Sequence, residues 1–365
     1  MNRTAVGRSL ALMVAALGWA IPSAASAAVG SVPNSTVVSH IADERIQESS
    51  GLAYSVKYPN LAYTMNDSKN RAVVYAVQVS TGRVVGQVDL EKYDLEDPES
   101  IAVDSQGRVW LGDLGDNDAN RDDASILVFD EPGMGRKAPQ ALQRFPIALQ
   151  GGPENVEGMM VNPSTRQVFL INKTDGGAGS LFVLPQALRS GAENVATNLR
   201  RQMPARVADA SFTPDGRYAL VKTATGVVAY DVTSWKPVNS FQTPGLDKGE
   251  SLTVEPGGRS ILLGSEGDDS PIVRVTLPSA LAPATATPNS GPSSSGSQDG
   301  ATALPPVGPI APNVTPAEPA NMTIPMLVAV GGLALIVVAI GGVRATRRRR
   351  RIVQRHRRMA QHARG

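Results

Sequence analysis

Five carboxylates recur along the chain, each at or just before a short apolar run that ends in a turn: Glu48, Glu99, Glu157, Asp209 and Glu250. A second polar set closes the apolar run after each turn: Asn66-Asp67, Asp113, Asn172-Lys173, Lys222 and Glu266. If the elements carrying them converge, this crowd of carboxyls with two lysines can do three kinds of work. It can cap backbone N–H groups and pair with the lysines. It can hold a divalent cation, and donors that are all oxygens favour Ca2+. It can also divide into acid and base, since crowded carboxylates raise one another's pKa unless a cation offsets them. Glu99, Glu157 and Glu250 are the candidates for acid/base work. The predicted ligand-binding funnel comprises Glu48, Asn66, Asp67, Glu99, Asp113, Glu157, Lys173, Asp209, Lys222, Glu250 and Glu266.

The elements that must position these groups form a repeat. Glu99-Ser-Ile-Ala-Val, Glu157-Gly-Met-Met-Val, Asp209-Ala-Ser-Phe and Glu250-Ser-Leu-Thr-Val align, and Glu48-Ser-Ser-Gly-Leu-Ala-Tyr carries its Glu two residues earlier, on the same face of a strand. Spacings of 51, 58, 52 and 41 residues, with period-2 runs and Gly/Pro/Asn/Asp turns throughout, predict an all-β β-propeller. Second strands are expected at 61–65, 109–112, 168–171, 218–221 and 261–264. Third strands are expected at 73–77, 126–129, 181–184, 227–230 and 272–275. The last repeat stops after three strands, and the N-terminal run Ser35 to Ile41 is the expected fourth. The count is five blades, with six as the alternative if the longer second repeat hides another. In a propeller both polar sets fall at one face of the disc, which makes them a funnel.

The second repeat adds the acidic segment 112–123, in which Asp116, Asp118 and Asn120 alternate as in the front half of a calcium loop. The sixth position lacks Gly and Leu127 stands where a bidentate Glu would be, so it is not an EF-hand. The possible metal donors are Asp67, Asp113, Asp116, Asp118 and Asn120, with Ca2+ the possible cofactor; a solvated loop held by Asx turns is the alternative.

Glu48-Ser-Ser-Gly-Leu-Ala with Asn66-Asp67-Ser68, Asp97-Pro-Glu-Ser-Ile-Ala-Val with Gly112-Asp-Leu-Gly-Asp-Asn, and Asn155-Val-Glu-Gly-Met resemble a group of exported bacterial β-propeller proteins over roughly residues 45–275. That resemblance implies the fold and carries no reaction with it. More distantly, the Glu and Asn residues opening the strands are similar to those of gluconolactonase-like propellers, in which channel oxygens hold a divalent metal. The blade count departs from theirs, and no catalytic residue is carried over.

The rest of the chain predicts how the propeller is displayed. Residues 1–27, with Arg3, Arg8, an apolar stretch and Ala25-Ser-Ala, read as a signal peptide. Residues 28–279 form the extracellular propeller, and 280–323, rich in Pro, Ala, Ser and Thr, a disordered stalk. The uncharged run 324–343 is long enough to cross a bilayer as one helix. The tail 344–365 carries ten arginines and no acidic residue, which places it in the cytoplasm by the positive-inside rule. The expected location is therefore the bacterial cell membrane, single-pass, with the propeller outside.

The formal charge of +2 conceals an exported part near −10 once ten tail and two signal arginines are set aside. This argues against nucleic acid as a partner and favours cations or basic partners. There is no Cys, and outside the tail His40 is the one histidine. Thiol nucleophiles and Cys/His zinc sites are excluded, and any Ser-His-Asp triad would have to use His40. The leading expectation is a cell-surface module that binds an extracellular protein or glycan through the acidic funnel. The alternative is a metal-assisted or two-carboxylate hydrolase of lactones, phosphoesters or glycosides.

Overall fold

The period-2 apolar runs become strands. The computed structural model of the chain describes residues 32–67, 71–246 and 248–283. The chain divides into two units, Met1–Asn289 and Ser290–Gly365, and every described residue belongs to the first. The expected signal peptide, membrane helix and Arg-rich tail lie outside the described residues, as does the expected stalk beyond Pro283. Among the described residues no helix is long and apolar enough to cross a membrane.

Five successive four-strand antiparallel meanders account for nearly all of the structure. The first holds β2 (Ala53–Tyr54), β3 (Leu61–Met65), β4 (Val73–Gln78) and β5 (Val84–Asp89). The second holds β6 (Pro98–Val103), β7 (Arg108–Asp113), β8 (Ser125–Asp130) and β10 (Gln143–Leu149). On the way to β10, the three-residue β9 (Gly135–Lys137) adds parallel to the edge of β5. The third holds β11 (Val156–Val161), β12 (Val168–Asn172), β13 (Gly179–Val183) and β14 (Asn194–Met203). The fourth holds β15 (Val207–Phe212), β16 (Tyr218–Thr223), β17 (Gly226–Asp231) and β18 (Lys236–Gln242). The fifth is β19 (Ser251–Val254), β20 (Ser260–Gly264) and β21 (Ser270–Thr276), completed by β1 (Ser35–Ile41), which pairs antiparallel with β21 as its position predicts. A parallel pairing of β10 with β14 joins the second and third meanders into one eight-stranded sheet.

The first strands form a circuit, because β2 touches β6 and β19, β6 touches β11, β11 touches β15, and β15 touches β19. The result is a propeller-like all-β architecture. Its core is divided among five apolar clusters, each between two neighbouring meanders. Strand alternation makes this division: in β7, Val109 and Leu111 pack with Tyr63 and Val74 of the first meander, while Trp110 packs with Val156 and Met159 of the third. A fully buried Leu, Ile or Phe contributes about 1.5–3 kcal/mol, so the meanders are held mainly by their neighbours.

Closure between the last and first meanders uses chain segments far apart in sequence. Ser39 Oγ donates to the Val79 carbonyl at 2.6 Å, and the Tyr54 N–H donates to Thr253 Oγ1 at 3.0 Å. In the β4–β5 turn, Gly82 has φ +68° and lies so close to β1 that a Cβ would run into the His40 carbonyl. The core runs slightly past the expected boundary at 279, since Leu281 is buried with Val254 and Leu277.

Candidate functional site

The polar groups at the start of the first strands fall into three equivalent sets, fixed by register. In β6 and β11 an extra residue interrupts the pairing, and that residue is Glu99 or Glu157. Ser50 takes the corresponding place before β2, between the Ser49–Asn66 bridge and the Ala53–Tyr63 pair. Glu250 takes it before β19, since Ser251 pairs with Gly264 as Ser100 pairs with Gly112. In the fourth meander the interruption falls at Ala208, and Asp209 pairs directly with Lys222. Asp209 is thus one residue out of step with the glutamates it resembles in sequence.

Two residues earlier stand Glu48, Asp97, Asn155, Arg206 and Lys248. Four of their carbonyls accept N–H bonds from Asp67, Gly115, Lys173 and Glu266, which makes those residues the third set. The fourth meander contributes the exposed Ala224, one residue past the Thr223 that pairs with Val207. Gly115 is required here because a Cβ would run into the Asp97 carboxylate and the Glu99 side chain.

These side chains form one electrostatic chain around the circuit. Glu99 is 7% exposed; its Oε2 accepts the Ser50 hydroxyl at 2.6 Å. Burial, then the charges of Glu157, Asp97 and Asp67, push its carboxyl up to about 9 against that hydrogen bond. Glu157 is 3% exposed; its Oε1 lies 3.2 Å from Lys173 Nζ and accepts Asn155 Nδ2 at 2.9 Å. Burial raises the Glu157 carboxyl although Lys173 pulls it down. Burial would lower the Lys173 ammonium, but Glu157, Glu250 and Glu99 together raise it. Across the circuit Asp67 hydrogen-bonds the Glu48 carboxyl. Burial, that hydrogen bond and the charges of Glu48, Glu266 and Asp97 push Asp67 up to about 7. Lys248 pairs with Glu266 at 3.3 Å.

Most of the remaining predicted residues are engaged inside the protein. Asn66 accepts the Glu48 N–H and donates to the Arg45 carbonyl. Asp113 Oδ1 accepts the N–H groups of Glu96 and Asp97 and Arg121 Nη2 at 3.0 Å; Arg144 approaches its Oδ2 at 3.9 Å. Asp116 accepts the N–H groups of Asn120 and Arg121, the Asx arrangement of a self-capped loop, while Asp118 and Asn120 are exposed. Asp209 accepts the N–H groups of Ala210 and Leu252, and Lys222 donates to the carbonyls of Thr223 and Gly249. Burial pushes Asp209 well up and Lys222 down. Among the described residues no three His, Asp or Glu side chains are grouped as a metal centre would group them.

Ser50, Asp97 and Asn155 belong to the cluster and were not among the predicted residues. For Asp97 and Asn155 the signal is the i−2 alternation ahead of each strand, which puts them on the same face as Glu99 and Glu157. Chemically the cluster offers carboxyls in excess of ammonium groups, with Glu99 carrying a proton at neutral pH and Glu157 paired to a cation.

No protein-family model matches the chain, and no curated protein matches it. Among solved structures, a gluconolactonase from Xanthomonas campestris is similar at 14% identity, over 63% of this chain and 72% of that one, with a TM-score of 0.38.

Proposed function

We propose that the protein is a five-bladed propeller, held outside a membrane by one C-terminal helix, that binds a cationic ligand in an acidic funnel where the first strands begin. The five meanders and the circuit of first strands support the blade count. The uncharged run 324–343 followed by the arginine tail supports the anchor. The observation that carries the binding reading is Lys173: its ammonium is drawn to Glu157, Glu250 and Glu99, so one cation serves three carboxyls. A cation from outside would take the place of the proton that Glu99 holds and offset the carboxyls that Lys173 leaves over.

The test is a calorimetric titration of the metal-stripped full chain with calcium chloride and with alkylammonium chloride, repeated on Glu99→Gln. Saturable binding of either cation, lost in the variant, supports the reading. No heat and no shift in melting temperature with either sinks it. Calcium is a fair probe although Asp113 and Asp116 are engaged by backbone N–H groups and, for Asp113, Arg121. Among the described residues no hydrogen bond reaches Asp67 Oδ1. Orientation is tested separately by protease accessibility in intact cells; an accessible C-terminal tail would overturn the topology.

A second reading, a hydrolase of lactones, phosphoesters or glycosides, is favoured by the contrast between Glu99 and Glu157. The first carries a proton near neutral pH, and the second, though also raised by burial, has an ammonium 3.2 Å away that works against that rise. Glu99 would protonate the leaving oxygen while Glu157 takes a proton from the attacking water. Turnover of any of these substrates that is lost in both Glu99→Gln and Glu157→Gln would establish it. A full substrate screen without turnover would end it.

A further inference from the structure

Two residues ahead of the strand interruptions the meanders carry Glu48, Asp97, Asn155, Arg206 and Lys248, and Asn155 alone is uncharged. An amide donates and accepts at once, which a carboxylate, a guanidinium or an ammonium cannot do. Asn155 uses both capacities. Its Oδ1 accepts the Asp116 N–H at 2.8 Å, while its Nδ2 donates to Glu157 Oε1 at 2.9 Å and to Asn117 Oδ1 at 3.1 Å. Its main-chain carbonyl accepts the Lys173 N–H at 2.8 Å. Turned over, the amide would set a donor against the Asp116 N–H and an oxygen against the Glu157 carboxyl, so its neighbours fix its orientation. Asn155 thus touches both members of the Glu157–Lys173 pair and the start of the acidic loop.

That loop is built as a unit. The Asp116 carboxylate accepts the N–H groups of Asn120 and Arg121, and the Arg121 guanidinium donates to the Gly115 carbonyl at 2.7 Å and to the carboxylates of Asp113 and Asp123. The loop is tied to the third meander through Asn155 and through a longer bond, 3.4 Å, from the Val156 N–H to the Leu114 carbonyl. Asn117, Asp118, Asn120, Asp122 and Asp123 are exposed, so the loop carries acidic side chains in solvent two hydrogen bonds away from Glu157.

We propose that Asn155 is a positioning residue that links the acidic loop 116–123 to the Glu157–Lys173 pair, so that the loop sets how Glu157 is presented and a ligand held by Glu157 orders the loop in return. The link itself stands on the hydrogen bonds of Asn155; its ligand arm rests on the reading of the funnel as a cation-binding site and deepens it by naming what regulates that site. A cation drawn onto Glu157 holds the carboxylate in place, and through Nδ2 and Oδ1 it holds Asn155 and the Asp116 N–H. By linkage, a loop held in place strengthens the binding of the cation by the same factor.

The experiment is hydrogen exchange on the full chain in detergent micelles, read by mass spectrometry on the peptide 114–122, with residues 168–172 of β12 as the reference for global opening. Without added cation, Glu157→Gln and Asn155→Ala should each speed loop exchange about fivefold relative to β12, because a bond to a charged acceptor is weakened or lost. The double variant should be no faster than the faster single one. Asn117→Ala, which removes only the outer bond of Nδ2 at an exposed site, should stay within about twofold of wild type. Calcium chloride and ethylammonium chloride are then added in turn. A cation that binds should slow loop exchange in wild type, while Asn155→Ala should abolish the slowing and weaken binding about fivefold. Loop exchange unchanged by Glu157→Gln, or as fast in Asn117→Ala as in Asn155→Ala, overturns the link whatever the funnel binds. A cation that binds and requires Glu99 while the loop exchanges as before leaves the cation site standing and removes its regulation by the loop. If the single variants free the loop as expected and neither cation binds, the funnel reading fails and the positioning of Glu157 by Asn155 is upheld.

Discussion

Asp209 and Lys222, directly opposite one another in β15 and β16, hold the two ends of the segment that leads into β19. The carboxylate accepts the Leu252 N–H at 2.8 Å and the ammonium donates to the Gly249 carbonyl at 2.5 Å. Both side chains are essentially inaccessible to solvent. Each side chain thus fastens the fourth meander to the fifth through a backbone group, and removing either leaves buried backbone polar groups without a partner. Asp209→Ala leaves the N–H groups of Ala210 and Leu252 without an acceptor and is expected to cost about 1–3 kcal/mol for each, and Asp209→Asn less because an amide oxygen can still accept one N–H. Urea denaturation of the two variants beside wild type checks this; equal and small losses would show that the pair does not bear on stability.

Glu99 makes stability depend on pH. Its folded-state carboxyl sits near 9, above the ordinary glutamate value, so the folded chain holds a proton that the unfolded chain releases. The contribution is fully present below about pH 4.3, the unperturbed glutamate value, and is lost as pH rises toward 9. Asp67, pushed up to about 7, acts in the same direction over a narrower window. The melting temperature without added cation should therefore fall between pH 5 and pH 9, and Glu99→Gln should flatten that slope. A profile unchanged by the substitution would mean that other groups set it.

Gly82 is expected to be intolerant of any side chain. Its positive φ and the nearby His40 carbonyl together make Gly82→Ala cost about 3 kcal/mol or more, since backbone strain and a backbone collision add. Gly245→Ala, at a site with open space around it, should stay within about 0.5 kcal/mol of wild type. Equal stability of the two variants would argue against the β1 contact as a fixed closure.

Asp113 and Asp67 should separate cleanly. Asp113→Ala removes the partner of Arg121 and of two backbone N–H groups, and should destabilise by about 3–5 kcal/mol. Asp67→Asn relieves repulsion from Glu48 and Glu266, so it should leave stability unchanged or raise it at pH 8 while weakening cation binding. Calorimetry and thermal melts on the same samples read both effects. The reverse pattern would return Asp113 to the binding site.

The repeat was legible because burial on both faces leaves a strong signature: strands such as β3, β11 and β12 are apolar nearly throughout, with Gly, Pro and Asn turns between them. The missing fourth strand was legible from an orphan period-2 run at 35–41. Register was not. Asp209 looks like Glu99 and Glu157 in sequence, but a one-residue shift in where the strand pairing is interrupted turns it toward β19. Such a slip follows from side-chain period 2, and no local residue announces it. Asp113 was misleading for a different reason: Arg121, its partner, lies eight residues on in an acidic loop whose sequence suggested a cation from solution.

The pairing of β1 with β21 has a kinetic meaning. Contacts such as Tyr54 with Thr253 join residues 199 apart, and long-range pairings of this kind slow folding. As the chain emerges from the N-terminus, the first meander must wait, with one flank uncovered, until the fifth exists to receive β1. Until then β1 is a free strand and the flank of β2–β5 is apolar, a combination prone to pairing with the wrong partner. A cell producing this protein thus has a defined period of vulnerability, which ends when residues 270–276 become available.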